Sequence, residues 1–443
     1  MIDDITLEEE RTLSSAVDPI ALTRLLGQQE YADVASLLES LPLEDRSITW
    51  SEISQEHHLG ILVEMRADPR EALIDEMSLI ELDALFKGMD AEDLVELSDS
   101  LPNRLIDRAL SAMDDIQRHY YEGAQQYEDS LAGHWLGHHF LSLPQNAKVR
   151  DALRLLRREL PEYVDTLFLT SRTGGFRGAV KIGSVIGAPD HLLLAEIAEE
   201  DFTTINANDD ATEASLKVQN SGYSALPVVN DNSTLLGRLD IGTASELVND
   251  YYEGRLMATA GLDEDEDLFS PVKTAAKNRA LWLGINLLTA FAAAWFIGLF
   301  EATLQQVVAL AVLMPVVASM GGIAGSQTLT LVIRGLALGQ VNEVNRWALV
   351  KKELQVGAFN GVIWAVVVGY IAGAWFDSFM IGFVISLAIL VNIVTAALSG
   401  ALIPIALKKL KLDPALSGSV VLTTVTDIVG FVAFLGLGAL LLT

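Results

Sequence analysis

Residues 280–300, 302–333, 354–376 and 378–407 contain no charged side chain at all. These runs are 21, 32, 23 and 30 residues long, and a helix needs about 20 apolar residues to cross the hydrocarbon of a bilayer. A fifth run, 414–443, is broken by one acid, Asp427. The pattern predicts five transmembrane helices. The long second and fourth runs leave room for a broken helix, so four to six is the range.

Charge divides the chain at the same place. Of 59 acidic and 30 basic side chains, 6 and 8 lie in residues 279–443, which leaves 53 and 22 in residues 1–278. The first part therefore carries −31 and the second +2, against −29 for the whole. So acidic a surface repels nucleic-acid phosphates and draws metal cations, and no nucleic-acid partner is expected. There is no cysteine, which excludes thiolate metal sites, disulfides and cysteine catalysis. The start, Met1-Ile-Asp-Asp-Ile-Thr-Leu-Glu-Glu-Glu, has neither the basic nor the apolar segment of a signal peptide, so the acidic part is expected in the cytoplasm.

Orientation follows from Lys and Arg. Lys273, Lys277 and Arg279 precede the first run; Arg346, Lys351 and Lys352 separate the second and third; Lys408, Lys409 and Lys411 separate the fourth and fifth. The turns around Glu301 and Asp377 have none. Five spans then leave the N-terminal part inside and Thr443 outside.

Asp427 falls near the middle of the fifth run, where a carboxylate costs about 2.5–3.5 kcal/mol on insertion scales. A hydrogen-bonded structural aspartate is the plain reading; a face turned to a polar ion path is the functional one. Thr423 and Thr424 lie within one helical turn of it. In the second run, Pro315 and Met320-Gly321-Gly322-Ile323-Ala324-Gly325-Ser326-Gln327-Thr328 put small and hydroxyl residues where lipid would favour Leu or Val. Such a segment either packs closely against other helices or unwinds to line an aqueous path. One carboxylate, hydroxyls and backbone carbonyls suit a hard, hydrated cation such as Mg2+. No His or Cys occurs in residues 279–443, which disfavours a soft transition metal. A two-fold dimer would bring a second Asp427 to the same axis.

The acidic part reads as two textures. Residues 1–130 have leucine stripes at helical spacing and a weak repeat, Leu37-Leu38-Glu39-Ser40-Leu41-Pro42 against Leu97-Ser98-Asp99-Ser100-Leu101-Pro102, which suggests a superhelical stack. From about Leu141 helix and strand alternate. A helix at 148–160, strand 164–169, a Thr173-Gly174-Gly175 turn and strand 178–182 come first. Then follow a helix at 211–220, strand 225–229, a turn at 230–233, strand 235–239 and a helix at 243–251. Two such units resemble tandem cystathionine-synthase-type (CBS) domains, most clearly at Ala225-Leu226-Pro227-Val228-Val229 through Leu236-Gly237. The run Asp263-Glu264-Asp265-Glu266-Asp267 is either a solvated loop or a set of cation-sensing carboxylates. His134 and His138, at i, i+4, could ligate zinc on a helix, but no third ligand is near, and a structural role is preferred for them and His139.

The order of these parts resembles the MgtE family of magnesium channels. The resemblance is carried by Arg279-Ala280-Leu281-Trp282-Leu283-Gly284-Ile285-Asn286, Gly298-Leu299-Phe300-Glu301, and Pro315 through Arg334-Gly335-Leu336-Ala337-Leu338-Gly339. It continues at Asp413-Pro414-Ala415 and Thr423-Thr424-Val425-Thr426-Asp427-Ile428-Val429-Gly430. It implies a helical superhelical N-domain (1–130), tandem CBS domains (131–198 and 199–255), an acidic connecting helix (256–278) and an α-helical membrane domain of five spans (279–443). It further implies a homodimer in the bacterial inner membrane whose pore is lined by the second and fifth spans. There Asp427 would hold hydrated Mg2+, with Thr423, Thr424, Ser326 and Thr330 as the accompanying site residues. Cytoplasmic Mg2+ would close the pore through acids of the soluble part, with Asp263, Glu264, Asp265, Glu266 and Asp267 as the sensing set. No catalytic or cofactor-binding residue is implied, and no phosphate loop, nucleophile–base pair or zinc-protease motif is present, so no enzyme is expected.

Two departures stand out. Where many members of the family have Gly-Gly-Asn-x-Gly-Asn-Gln, this chain has Gly321-Gly322-Ile323-Ala324-Gly325-Ser326-Gln327. Its second CBS unit ends Gly237-Arg238-Leu239-Asp240-Ile241-Gly242-Thr243, without the usual Thr and paired Asp, which puts nucleotide binding in doubt. The competing expectations are a proton- or sodium-coupled carrier that protonates Asp427, and a membrane-anchored CBS sensor without transport.

Overall fold

In the computed structural model of the protein the described residues are 19–28, 30–158, 160–161, 163–199, 201–262, 266–337, 340–342, 344–410 and 412–442. They form two compact units. One comprises Met1–Glu253 and Asp265–Pro271, the other Gly254–Glu264 and Val272–Thr443.

The first unit opens with short helices: Pro19–Gln28, Tyr31–Glu39, Leu43–Glu52, Gln55–Glu64, Ala67–Glu76, Leu79–Gly88, Ala91–Leu97, Asn103–Ala112 and Asp115–Ala124. Local chemistry sets their starts. Pro42 and Pro102, the last residues of the sequence repeat, both sit at the N-cap of the next helix, where a missing N–H costs nothing. Ser78 with Glu81, and Asp90 with Asp93, close reciprocal capping boxes. Tyr31–Glu39 packs on Gln55–Glu64, that on Leu79–Gly88, and that on Asn103–Ala112. A superhelical stack results, with Leu38, Ile61, Leu62, Leu94 and Leu97 at its centre.

Two three-stranded sheets follow, β1 (Ser142–Pro144), β2 (Thr166–Thr170) and β3 (Phe176–Lys181), then β4 (Ile205–Asn206), β5 (Ala225–Val229) and β6 (Leu235–Asp240). In each, the first strand pairs parallel to the second and the second antiparallel to the third. A bulge falls at the same place, Leu169/Thr170 and Val228/Val229, with Gly178 and Gly237 facing the residue before it. The duplication seen in sequence is thus a duplication of topology. The edges are exchanged: Gly137 pairs with Arg238 of the second sheet, while Glu199 pairs with Ala179 of the first. The helix that follows β6, Ile241–Thr259, continues beyond the position expected for its end.

The second unit contains five helices long and apolar enough to cross a membrane: Val272–Gly298, Val308–Ala337, Arg346–Trp375, Phe379–Lys409 and Pro414–Leu441, here the first to fifth spans. A short helix, Glu301–Gln306, precedes the second span, and the chain turns between them at Val307. The fourth run is one unbroken helix through Pro404. The fourth span packs against the second, third and fifth and is the most buried of the five; the first touches mainly the fifth. Small residues allow these contacts. A Cβ on Gly357 would meet that of Ala397, and the Ser386 hydroxyl donates to the Ala365 carbonyl at 2.6 Å.

Candidate functional site

The second and fifth spans run antiparallel in contact. A Cβ on Gly325 would press on Leu422, one on Gly418 on Leu329, and one on Gly438 on Leu310. The second span stays helical from Met320 to Thr328, so the small-residue segment packs rather than unwinds. From this register, at 1.5 Å per residue, Asp427 lies level with Met320, Ser326 about 9 Å and Thr330 about 15 Å toward the Ala337 end. The five residues expected at the ion site therefore do not surround one point. Asp427, Thr423 and Thr424 share one stretch of the fifth span, and Ser326 and Thr330 follow one another down the second.

What they share is a face. Ile323, Ser326, Gln327, Thr330 and Arg334 are exposed at i, i+3, i+4, i+7 and i+11 spacing, and beside them Thr423 is exposed and Asp427 and Thr424 half-buried. Hydrocarbon satisfies neither a glutamine nor a carboxylate, so this stripe requires water or protein against it. The hydroxyls are arranged as acceptors: Thr423 donates to the Ser419 carbonyl at 2.9 Å and Thr424 to that of Val420 at 2.7 Å. With its proton used, each oxygen turns lone pairs outward, which a cation or its hydration water can take.

Two buried polar residues of this unit escape a reading by charge. Asn392 is fully buried on the fourth span, and its amide donates to the Val317 carbonyl at 2.8 Å. Glu353 is buried on the third span, where Thr328 donates to one carboxylate oxygen at 3.2 Å and Lys352 to the other at 2.6 Å. Asn392 was legible as the one amide in its 30-residue apolar run. Glu353 hides in sequence as the end of a basic loop.

At the base of the fifth span, Asp413 accepts from the Ala415 N–H at 2.7 Å and pairs with Arg255 of the helix Ile241–Thr259. Ala258 of that helix packs against Leu329, Ile333, Ala415 and Leu422.

Of the expected sensing set, Asp263, Glu264 and Asp265 lie outside the described residues, and Glu266 is buried. Asp267 is taken up by Arg46, whose guanidinium donates to its two oxygens at 2.7 and 3.1 Å with both side chains buried. A different set of acids is under strain. Burial first, then Glu64, Glu96, Asp250 and Asp240, pushes Glu246 up to about 7 although its side chain still reaches solvent. Burial and Glu96 raise Glu64 in the same sense. Arg70, 3.4 Å from Glu96, offsets part of this charge. Among the described residues no three His, Asp or Glu are arranged to hold a metal ion. His134 and His138 are not on a helix at all: residues 128–141 are turns and bridges, His134 contacts the Tyr127 carbonyl and His138 stacks on Tyr120.

Three family models match this chain. One described as a divalent cation transporter (MgtE) matches residues 314–437, the MgtE intracellular N domain matches 29–130, and the CBS domain matches 194–245. The chain is 26% identical to the magnesium transporter MgtE of Bacillus subtilis over 431 residues, covering 93% of this chain and 95% of that one. It is 24% identical to the protein of the same name from Thermus thermophilus, covering 96% and 98%. Among solved structures, the CBS-pair domain of a putative Mg2+ transporter from Shewanella oneidensis is 32% identical over 38% of this chain and 99% of that one, with a TM-score of 0.34. With matches in the helical stack, the second sheet and the spans, and relatives aligned nearly end to end, the chain belongs to the MgtE family, a family of divalent cation transporters and not of enzymes.

Proposed function

We propose that this chain, as a two-fold homodimer in the bacterial inner membrane, conducts Mg2+ into the cytoplasm, and that cytoplasmic Mg2+ closes the path. The N-terminal unit lies inside and the C-terminus outside, as the basic loops require. The single observation that carries the reading is the polar stripe of Ser326, Gln327, Thr330, Thr423 and Asp427 on otherwise lipid-compatible helices. A second copy facing it supplies a second carboxylate and closes the stripe from lipid. Magnesium suits the donors, since it keeps most of its waters and needs few carboxylates, and the relatives are named magnesium transporters. Regulation is assigned to Glu64 and Glu246, whose carboxyls are raised, and to their neighbours Glu96 and Asp250, with the Asp263–Glu266 run as a further cation-attracting segment.

The test is Mg2+ uptake into proteoliposomes by wild type and Asp427→Asn at equal reconstituted amounts. We expect uptake in wild type, independent of any imposed proton or sodium gradient, and at least a tenfold loss in the variant. Equal uptake would remove Asp427 from the ion path; uptake that required a gradient would make the protein a coupled carrier.

A further inference from the structure

Asn392 occupies a place where only glycines leave room for it. A Cβ on Gly321 of the second span or on Gly430 of the fifth would run into its amide, the latter at 2.7 Å from Nδ2. Gly430 is three residues beyond Asp427, and Gly321 is level with it. The amide is fully buried, and because the Val317 carbonyl only accepts, Nδ2 must face it. That leaves Oδ1 buried with no hydrogen-bond partner among the described residues. A leucine would fill a purely apolar contact without an orphaned acceptor, so packing alone does not account for the residue.

We propose that Asn392 is a positioning residue that fixes the spacing of the second and fifth spans at the level of Asp427, and thereby the selectivity of the path for Mg2+ over a larger divalent cation. This rests on the reading of Asp427 as the ion-path carboxylate. The physical argument concerns hydration. An ion recognised with its waters is selected by the size of a rigid aperture, because the ligands that discriminate are waters of nearly fixed geometry. Three helices wedged on one amide, with glycine on two sides, provide that rigidity where flexible side chains would not.

The test is uptake of Mg2+ and of Ca2+, each measured separately, by full-length wild type, Asn392→Leu, Gly430→Ala and Asp427→Asn in proteoliposomes. We expect Asn392→Leu to elute and melt as folded protein while its Mg2+/Ca2+ uptake ratio falls at least fivefold, with Asp427→Asn carrying neither ion. Gly430→Ala, which pushes on the amide from the other side, is expected to lower the ratio in the same direction. It decides the matter if Asn392→Leu does not fold. An unchanged ratio in the folded variants beside an inactive Asp427→Asn overturns the role of Asn392 and leaves the ion path standing. Wild-type uptake by Asp427→Asn overturns both.

Discussion

At the scale of single residues, the pair Arg46–Asp267 shows how an acid can mean different things in sequence and in space. Asp267 ends a run of five acids and reads as solvated charge; its partner lies 221 positions away. Arg46 also donates to the Leu38, Glu39 and Leu41 carbonyls, closing the end of the helix Tyr31–Glu39. Removing one member of a buried pair leaves the other charged and desolvated, at about 3–5 kcal/mol. Asp267→Ala is therefore expected to destabilise the first unit by about that much in urea unfolding of the full-length protein, whereas Glu52→Ala, at an exposed position, should stay within about 0.5 kcal/mol. Asp427, by contrast, was legible because a lone charge in an apolar run has no inexpensive explanation. Glu64 and Glu246 were not, since nothing local distinguishes them from the other glutamates of a very acidic chain.

At the scale of elements, apolar run length located all five spans but not their ends. The first span begins at Val272, not 280, and the third at Arg346, not 354, because helical hydrogen bonding continues past the hydrocarbon into water, where charge is tolerated. Whether the second span packed or unwound was undecidable from its own residues, since the answer lies in its neighbours. Gly400 of the fourth span is the clearest of these. A Cβ there would stand 2.7 Å from the Gly325 carbonyl oxygen and 3.0 Å from the Thr328 Cβ, so backbone would have to move. Gly284 of the first span has nothing within 4 Å. Gly400→Ala is expected to cost about 1–3 kcal/mol by overpacking, and Gly284→Ala to be neutral or to stabilise by up to about 1 kcal/mol. Melting of the purified variants in detergent checks this; equal effects would mean that the second and fourth spans are not in close contact.

At the scale of the whole molecule, the charge asymmetry visible in sequence bears on the proposed gating. The helix Ile241–Thr259 carries Glu246 and Asp250 near its start, and Arg255 and Ala258 near its end. Arg255 is paired with Asp413 at the cap of the fifth span, the helix of Asp427. Glu246 titrates at about 7 in the fold against an ordinary value of 4.5. An acid held higher when folded binds its proton more tightly there, so the compact unit has this stability in full below about 4.5, loses it as pH rises from about 4.5 to 7, and loses nothing more above that. A divalent cation near the cluster replaces the proton as neutraliser. Proteolysis of the first unit in the full-length protein is therefore expected to accelerate from about pH 5 to 7 without Mg2+, and to slow again when millimolar Mg2+ is added at neutral pH. Glu64→Gln/Glu246→Gln, neutral throughout, should flatten both responses and, if repulsion is what opens the path, lower uptake several-fold when internal Mg2+ is scarce. A double variant that kept wild-type sensitivity to internal Mg2+ would show that the gate is worked by other acids.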